Sequence, residues 1–263
     1  ENRAAVLIKL EKPAAIDHLE ELMTLTDAVM VARGDLGVEL PPEKVPGLQK
    51  KIVKLCRKWG KPVVVATQML DSMVHSPAPT RAEASDVATA VYDSADAVML
   101  SAETAAGEYP IESVDMMNRI ILEAEGDEAY QASATSKQNV VEPTVSDAIT
   151  LAARQVAETV NANCIVTYTT SGSTTLRAAR ERPTVPILCV TSSLSTARRM
   201  AIAWGIHSVH IDQEERFSTV VKRAVDIAET QGFASSGDHI VITAGVPMGK
   251  SGSTNVLRIE RIP

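Results

Sequence analysis

Short apolar runs and amphipathic segments alternate along the first half of the chain. Each apolar run has the length and the β-branched or alanine-rich composition of a buried strand, and apolar residues then recur at helical spacing. The predicted strands are Ala5–Lys9, Ala28–Ala32, Val63–Ala66 and Ala97–Leu100, and the predicted helices are Ala14–Leu25, Pro46–Lys58, Arg81–Tyr92 and Ile111–Glu125. Strands that alternate with helices indicate a parallel sheet.

Four strand–helix units of about 30 residues each leave two architectures open. One is a small open sheet. The other is half of a (β/α)8 TIM barrel, a fold that takes about 250 residues. The chain enters its first strand almost at once, which favours the second half of such a barrel. We therefore predict half of a barrel over residues 1–128.

A change in composition between Glu125 and Pro143 predicts a linker over residues 129–143. A second α/β domain with a mostly parallel sheet is predicted over residues 144–263. Its first helix is expected from Thr144 or Ser146 to about Val160. The predicted strands that follow are Cys164–Thr169, Ile187–Thr191, Ser208–Ile211, Ile240–Ala244 and Val256–Ile262, and the predicted helices between them are Thr174–Arg182, Leu194–Trp204 and Arg216–Gly232.

A polar residue follows each strand of the first domain, and the loops after strands carry the chemistry in parallel α/β folds. Lys9 and Glu11 are two residues apart at a strand end, so their side chains point the same way. With Asp35 after the next strand, Glu11 supplies a second carboxylate of the kind that hard Mg²⁺ prefers. Lys9 would then face an anionic substrate.

Simpler interpretations stay open for these residues. Lys9 and Glu11 could form an ordinary salt bridge. Asp35 could have no role other than to begin a turn. Thr67 offers a hydroxyl and a backbone N–H at the same edge of the sheet. The simpler interpretation is that it caps the following segment and has no other role. For Glu103, in Ser101-Ala-Glu-Thr104, the expected role is packing and hydrogen bonding at this edge.

Composition excludes several classes of protein. A formal net charge of −7 gives no basic footprint for nucleic acid or an anionic membrane, and 3% aromatic residues offer few platforms for stacking bases. No apolar run approaches the length of a membrane span. Three widely spaced cysteines fit reduced core thiols in a cytoplasmic protein better than a disulfide framework or a zinc site.

Six motifs in matching order, together with the closing segment, resemble the pyruvate kinase family in its bacterial form. The similarity covers all 263 residues and corresponds to barrel strands five to eight plus the C-terminal domain. The motifs are Lys9-Leu-Glu11, Met30-Val-Ala-Arg-Gly-Asp-Leu-Gly37, Ala66-Thr-Gln-Met-Leu70, Pro79-Thr-Arg-Ala-Glu83, Ser85-Asp-Val-Ala88, Met99-Leu-Ser-Ala-Glu-Thr-Ala105 and the closing Gly245-Val-Pro-Met-Gly…Gly252-Ser-Thr-Asn255.

The resemblance implies transfer of a phosphoryl group from phosphoenolpyruvate to ADP, giving pyruvate and ATP in glycolysis. Lys9 would stabilise the phosphoryl group, Glu11 and Asp35 would hold Mg²⁺ or Mn²⁺, and Gly34, Asp35 and Thr67 would contact the substrate. Thr67 would lie near the proton delivered to the enolate. The potassium ligands, a phosphate-binding arginine and a lid domain of the family are not in this sequence. We therefore expect the chain alone to be inactive, and the family implies a cytoplasmic homotetramer.

A hydroxyl-rich loop in the second domain, Thr169-Thr170-Ser171-Gly172-Ser173-Thr174, lies between a predicted strand and helix. Hydroxyls beside a helix N-terminus can bind an anion. The simpler interpretation is that the loop caps the helix and binds nothing. The family resemblance implies a sugar-phosphate or nucleotide effector here, but Thr170 stands where some effector-responsive members have lysine. Residues 244–251 resemble a Walker A loop without its first glycine and precede a predicted strand, which argues against a nucleotide site. Lys250 could still touch the effector.

Two other functions compete with pyruvate kinase at this point. One is a Mg²⁺-dependent pyruvate-type aldolase or lyase, whose barrels also hold metal with a Glu and an Asp from adjacent strands. The other is a regulatory or assembly fragment that binds an effector and partner subunits without catalysis. The second domain discriminates against the lyase, which has no reason to carry the loop at 169–174 or the closing segment.

Overall fold

A computed structural model describes residues 4–135, 143–248 and 252–263. Within it the chain forms two compact units, Glu1–Ala134 and Thr135–Pro263.

The first unit contains four strands and eight α-helices among its described residues. The strands are β1 (Leu7–Leu10), β2 (Ala28–Ala32), β3 (Val63–Ala66) and β4 (Ala97–Met99). The helices are α1 (Pro13–Asp17), α2 (Leu19–Leu25), α3 (Arg33–Glu39), α4 (Val45–Trp59), α5 (Arg81–Tyr92), α6 (Ala102–Ala105), α7 (Pro110–Gly126) and α8 (Glu128–Thr135).

All four strands pair in parallel in the order β1-β2-β3-β4. Consecutive parallel neighbours are the arrangement of a (β/α)8 barrel, and the predicted α/β class is confirmed. In the described part of this unit the sheet does not close on itself. Since the carboxyl ends of the strands lie along one edge, the residues that follow β1 to β4 share that edge.

Alternate residues of each strand in the first unit point to opposite faces of the sheet. Val29 and Val31 on β2 and Val63 and Val65 on β3 are fully buried in the core beside helix α4. In-register residues share a face, so Lys9 lies in a row with Met30 and Val64 on the opposite face. Lys9 and the side chains of this row therefore point away from the helices.

The first unit differs from the sequence prediction most clearly in three places, while β4, α4 and α7 differ from it by one residue at one or both ends. Strand β1 begins two residues later than expected and ends at Leu10. The helix expected over Ala14–Leu25 is interrupted at His18. The segment after β2, where the sequence predicts a loop or a turn, is helix α3, because burial of Leu36 offsets the poor helix propensity of two glycines.

In the second unit helices separate most of the strands, as predicted. The strands are β5 (Cys164–Tyr168), β6 (Ile187–Thr191), β7 (Ile206–His210), β8 (His239–Gly245) and β9 (Thr254–Arg261). The helices are α9 (Val145–Thr159), α10 (Ser173–Arg180), α11 (Leu194–Met200) and α12 (Phe217–Thr230).

The sheet of the second unit has the order β7-β6-β5-β8-β9, parallel except for the antiparallel β9. Helix α12 packs against one face, on Val166 and Ile242, and α9 packs against the other, on Ile165 and Val241. The chain leaves the central strand β5 toward β6 and returns to its other side at β8. Such a reversal opens a crevice at the carboxyl ends of the strands, where ligands bind in doubly wound sheets.

The segment predicted as a linker begins with a helix, since α8 runs to Thr135. Its residues 136–142 lie outside the described part of the chain. All three cysteines, Cys56, Cys164 and Cys189, are free and buried, which agrees with the prediction of reduced core thiols.

Candidate active site

The ends of strands β1 and β2 bring together the three charged residues that the sequence singled out. Lys9 is on β1, Glu11 follows β1, and Asp35 is in the first turn of α3, directly after β2. The ammonium Nζ of Lys9 lies 2.5 Å from Oε2 of Glu11 and 2.8 Å from Oδ2 of Asp35. We call these three residues the charged cluster.

The charged cluster is accessible to solvent. The exposed fractions of the Lys9, Glu11 and Asp35 side chains are 49%, 34% and 52%. Beside the charged cluster, Lys12 pairs with Glu39 at the end of α3. The polar atoms of the charged cluster are therefore open to a ligand that approaches the carboxyl edge of the sheet.

Mutual attraction shifts two pKa values within the charged cluster. The hydrogen bond to Asp35, followed by that to Glu11, raises the pKa of Lys9 above its ordinary value of 10.5. The same hydrogen bond from Lys9 lowers the pKa of Asp35 below 3.8. Lys9 is thus a cation and Asp35 an anion throughout the physiological range.

The two carboxylates fit a divalent metal ion by the chemistry of their donor atoms. Both already converge on one cation, the ammonium of Lys9, and hard ions such as Mg²⁺ prefer carboxylate oxygens. Among the described residues, no group of three or more His, Cys, Asp or Glu side chains is placed to hold a metal ion. A metal at Glu11 and Asp35 would need further oxygen ligands from substrate or water.

Thr67 joins the same edge of the sheet from strand β3. Ala66 is in register with Ala32, so Thr67 and Arg33 both lie just beyond paired strand ends. The hydroxyl Oγ1 of Thr67 accepts a hydrogen bond from the N–H of Gly34 at 2.7 Å and donates to the carbonyl of Ala66 at 2.6 Å. The predicted substrate-contacting residues Gly34 and Thr67 are therefore in direct contact.

Arg33 is a residue of this edge that the sequence interpretation did not single out. Its side chain is 12% exposed, and its guanidinium forms an ion pair of 2.6 Å with Asp86 on helix α5. Nη2 also donates to the carbonyl of Thr67 at 2.8 Å. The sequence signal for Arg33 is a charged residue directly after a buried strand. Its partner Asp86 could not be recognised in the same way, because it lies 53 positions away in the sequence.

Glu103 has the packing role that its position suggested. Its side chain is buried, and its two oxygens accept hydrogen bonds from the backbone N–H groups of Leu70 at 3.2 Å and Ser101 at 2.6 Å. Glu103 thus ties the segment after β3 to the segment after β4 and does not join the charged cluster.

The hydroxyl-rich loop of the second unit follows the central strand β5. Gly172 has φ of 87°, a left-handed conformation that residues with a Cβ rarely adopt, which accounts for glycine at this position. Two of the predicted contact residues use their hydroxyls internally: Thr169 accepts from the N–H of Gly172, and Thr174 bonds Thr254.

The outer part of this loop faces solvent. Thr170 and Ser171 are exposed and Ser173 is half-buried. The carbonyl of Thr170 accepts a hydrogen bond from the hydroxyl of Thr196 on α11 at 2.7 Å, which fixes the loop against the helix that follows β6. Lys250 lies outside the described residues, whereas the strand predicted after it, β9, is confirmed.

Family models match both units. The model for the pyruvate kinase barrel domain matches residues 1–114, and that for the pyruvate kinase alpha/beta domain matches residues 147–260. The chain belongs to the pyruvate kinase family. An aldolase or lyase barrel gives no reason for the second match, so that alternative is set aside.

Individual relatives agree with the family models. A pyruvate kinase of Methylorubrum extorquens is 50% identical over 257 residues, which are 98% of this chain and 54% of that protein. One of Staphylococcus epidermidis is 45% identical over the whole chain and 45% of its own length. The crystal structure of a pyruvate kinase from Cryptosporidium parvum superposes with a TM-score of 0.88 at 36% identity, over 98% of this chain and 52% of that one.

The chain spans about half the length of the curated relatives that it matches. None of the helices in the described ranges is long and apolar enough to cross a membrane.

Proposed function

We propose that the chain supplies one side of a pyruvate kinase active site, where the phosphoryl group of phosphoenolpyruvate passes to ADP. The observation that carries this proposal is the convergence of Lys9, Glu11 and Asp35 from neighbouring strand ends. Phosphoryl transfer requires positioning and neutralisation of charge more than covalent chemistry by the protein. One fixed cation beside two accessible carboxylates provides the means for both.

Lys9 is the candidate catalytic cation. The raised pKa of Lys9 keeps the ammonium charged, so Lys9 would attract the transferring phosphoryl group and stabilise the charge that develops on it. Glu11 and Asp35 would hold Mg²⁺ or Mn²⁺, and a divalent ion there supplies neutralisation of phosphoryl and enolate charge. K⁺ is implied by the family, and its ligands belong to a part of the enzyme that this sequence does not contain.

Gly34, Asp35 and Thr67 are the candidate substrate contacts. Thr67 would act near the proton delivered to the enolate, because its hydroxyl is held against Gly34 at the same edge of the sheet as the charged cluster. The partners are then phosphoenolpyruvate and ADP or ATP, and we expect a homotetramer in the cytoplasm, as is common in the family. A non-catalytic regulatory or assembly fragment is the competing outcome.

Turnover tests the proposal most directly. The 263-residue chain alone is expected to give no phosphoenolpyruvate-dependent ATP formation. A chimaera in which the chain replaces the matching half of the Methylorubrum extorquens relative should turn over. In the chimaera, Lys9→Met should lower kcat by about 10³-fold, because the cation beside the phosphoryl group is lost.

Lys12→Met is the matched control, since Lys12 forms its ion pair with Glu39 and acts on the two candidate metal ligands only through weaker electrostatic attraction. It should leave kcat within about twofold of the parent. A chimaera that folds without turnover, or equal losses for the two lysine variants, would contradict the assignment. Robust turnover by the isolated chain would refute the expectation that it needs the rest of the barrel.

For the second unit we propose that the loop at 169–174 binds a phosphate group of a sugar-phosphate or nucleotide effector. Its position after the central strand, beside the crevice where the sheet order reverses, supports this proposal. Sulfate or a sugar phosphate should slow hydrogen exchange of the backbone over residues 169–175. Unchanged exchange would count against it.

A further inference from the structure

Two consecutive residues beyond strand β3 have an unusual backbone. Thr67 and Gln68 have φ of 72° and 51°. Residues other than glycine seldom occupy this left-handed region, and a β-branched residue such as threonine is an outlier there. Such a conformation persists only where the surrounding structure holds it in place.

Arg33 is placed to hold the left-handed backbone at Thr67. Nη2 donates to the carbonyl of Thr67 at 2.8 Å and Nε lies 3.4 Å from the carbonyl of Ala66, so the guanidinium spans the peptide at which the chain turns. Nη1 is fixed at the same time by the 2.6 Å ion pair with Asp86. Only the planar, multiply donating guanidinium reaches three acceptors in this geometry, and a lysine ammonium does not.

Gly34 holds the same turn from the other side. It is the second residue of α3, so its N–H has no acceptor within the helix. The N–H is donated to Oγ1 of Thr67, and a Cβ on Gly34 would lie 3.3 Å from that oxygen. Arg33 and Gly34 therefore fix the carbonyl and the hydroxyl of Thr67 respectively.

We infer that Arg33 is a positioning residue. By holding the carbonyl of Thr67 it sets the direction of the Thr67 hydroxyl, and Asp86 orients the guanidinium of Arg33. The geometric part stands on the contacts alone, and its consequence for catalysis rests on the proposed function. Arg33 itself donates to backbone carbonyls and to the side chains of Asp86, Gln49 and Met69, and none of its described contacts is with the charged cluster.

Hydrogen exchange in the 263-residue chain tests the geometric part. In Arg33→Lys and Arg33→Gln, exchange of the Gly34 amide should accelerate about tenfold beyond any change in global stability. Its ¹H–¹⁵N resonance should also move. Asp86→Asn retains both carbonyl contacts and should give a smaller acceleration, which keeps the test informative if the Arg33 variants unfold.

Arg57→Gln is the matched control, since Arg57 is an arginine of helix α4 in the same unit that bonds Ser94. Its effect on the Gly34 amide should follow global stability alone. Gly34 exchange and resonance that are unchanged in Arg33→Gln, or equally changed in Arg57→Gln, would overturn the inference.

Kinetics in the chimaera test the consequence. Arg33→Lys should lower kcat about 10- to 100-fold and leave Mn²⁺ affinity unchanged, because Glu11 and Asp35 do not contact Arg33. Thr67→Val should lower kcat too, and the double variant should be no slower than Thr67→Val alone. Additive losses would contradict action through Thr67. If the parent chimaera is inactive, the proposed function fails, while the Gly34 amide still decides whether Arg33 positions Thr67.

Discussion

Each unit holds a cluster of ion pairs, and the two clusters differ in burial. The charged cluster of the first unit is between one-third and one-half exposed. In the second unit, Asp147 is 1% exposed and pairs with Arg177 and Arg180 at 2.9 Å each. Exposed pairs add little to stability and remain open to ligands, whereas a buried charge is costly once its partner is removed. Burial thus separates a candidate site from a structural cluster of the same residue types.

The largest difference should appear in stability when one carboxylate is neutralised in each cluster. Asp147→Asn should lower the free energy of unfolding of the second unit by about 3 kcal/mol, because two arginines lose a buried counterion. Asp35→Asn should lower the unfolding midpoint of the first unit only slightly, because its ion pair with Lys9 is exposed to solvent. Denaturant titration with tryptophan fluorescence measures both.

The two tryptophans allow each unit to be followed separately, since Trp59 lies in the first and Trp204 in the second. Asp147→Asn is measured in a Trp59→Phe background, and Asp35→Asn in a Trp204→Phe background. Equal shifts for the two variants would remove the distinction between the clusters.

Much of the fold could be predicted because hydrophobic periodicity is local. Strand β2 and helix α5 have the bounds that the sequence predicts, and the Thr80–Glu83 capping box marks the start of α5. The break at His18 carries no glycine or proline, so nothing in the sequence signals it. The sequence does not indicate helix α3, because its stability comes from packing of Leu36 and not from local propensity.

The candidate site divides in the same way. The charged cluster could be predicted because strand alternation and neighbouring strand ends are enough to bring its members together. The roles of Arg33 and Asp86 could not be predicted, because their ion pair joins residues from separate strand–helix units. The left-handed backbone of Thr67 also has no local signal, since threonine does not favour it.

Buried thiols extend the comparison to alkaline pH with a smaller effect. Burial raises the pKa of Cys56 in the first unit and of Cys164 in the second from 9.0 to about 12. Between these values the unfolded thiol loses its proton and the folded one does not. The stability that each contributes is therefore complete below pH 9.0 and falls as pH rises toward about 12, by at most about 1.4 kcal/mol per pH unit.

The measurement compares each cysteine with its alanine variant from about pH 8 to about pH 11. Cys56→Ala is followed through Trp59 and Cys164→Ala through Trp204. The free energies of parent and variant should converge as pH rises, because only the parent loses the thiol contribution. Curves that stay parallel would show that the thiols ionise equally in the folded and unfolded states.

The smallest expected effect is a titration shift within the charged cluster. Because Lys9 lowers the pKa of Asp35, Lys9→Met should raise that pKa back toward 3.8. Lys12→Met should raise it less, since Lys12 acts on Asp35 only through a weaker electrostatic attraction. Carbon-13 NMR of the Asp35 carboxyl in the parent and both variants measures the three pKa values.

The sign of this shift also sets the acid behaviour of the cluster. The contribution of Asp35 to stability is complete above 3.8 and is lost as pH falls through the lowered folded-state pKa, so Lys9→Met should remove that dependence. If Asp35 titrates at the same pH in Lys9→Met and in the parent, the pair between Lys9 and Asp35 does not persist in solution. The exposed cluster would then lose the convergence of charges on which its assignment as an active site depends.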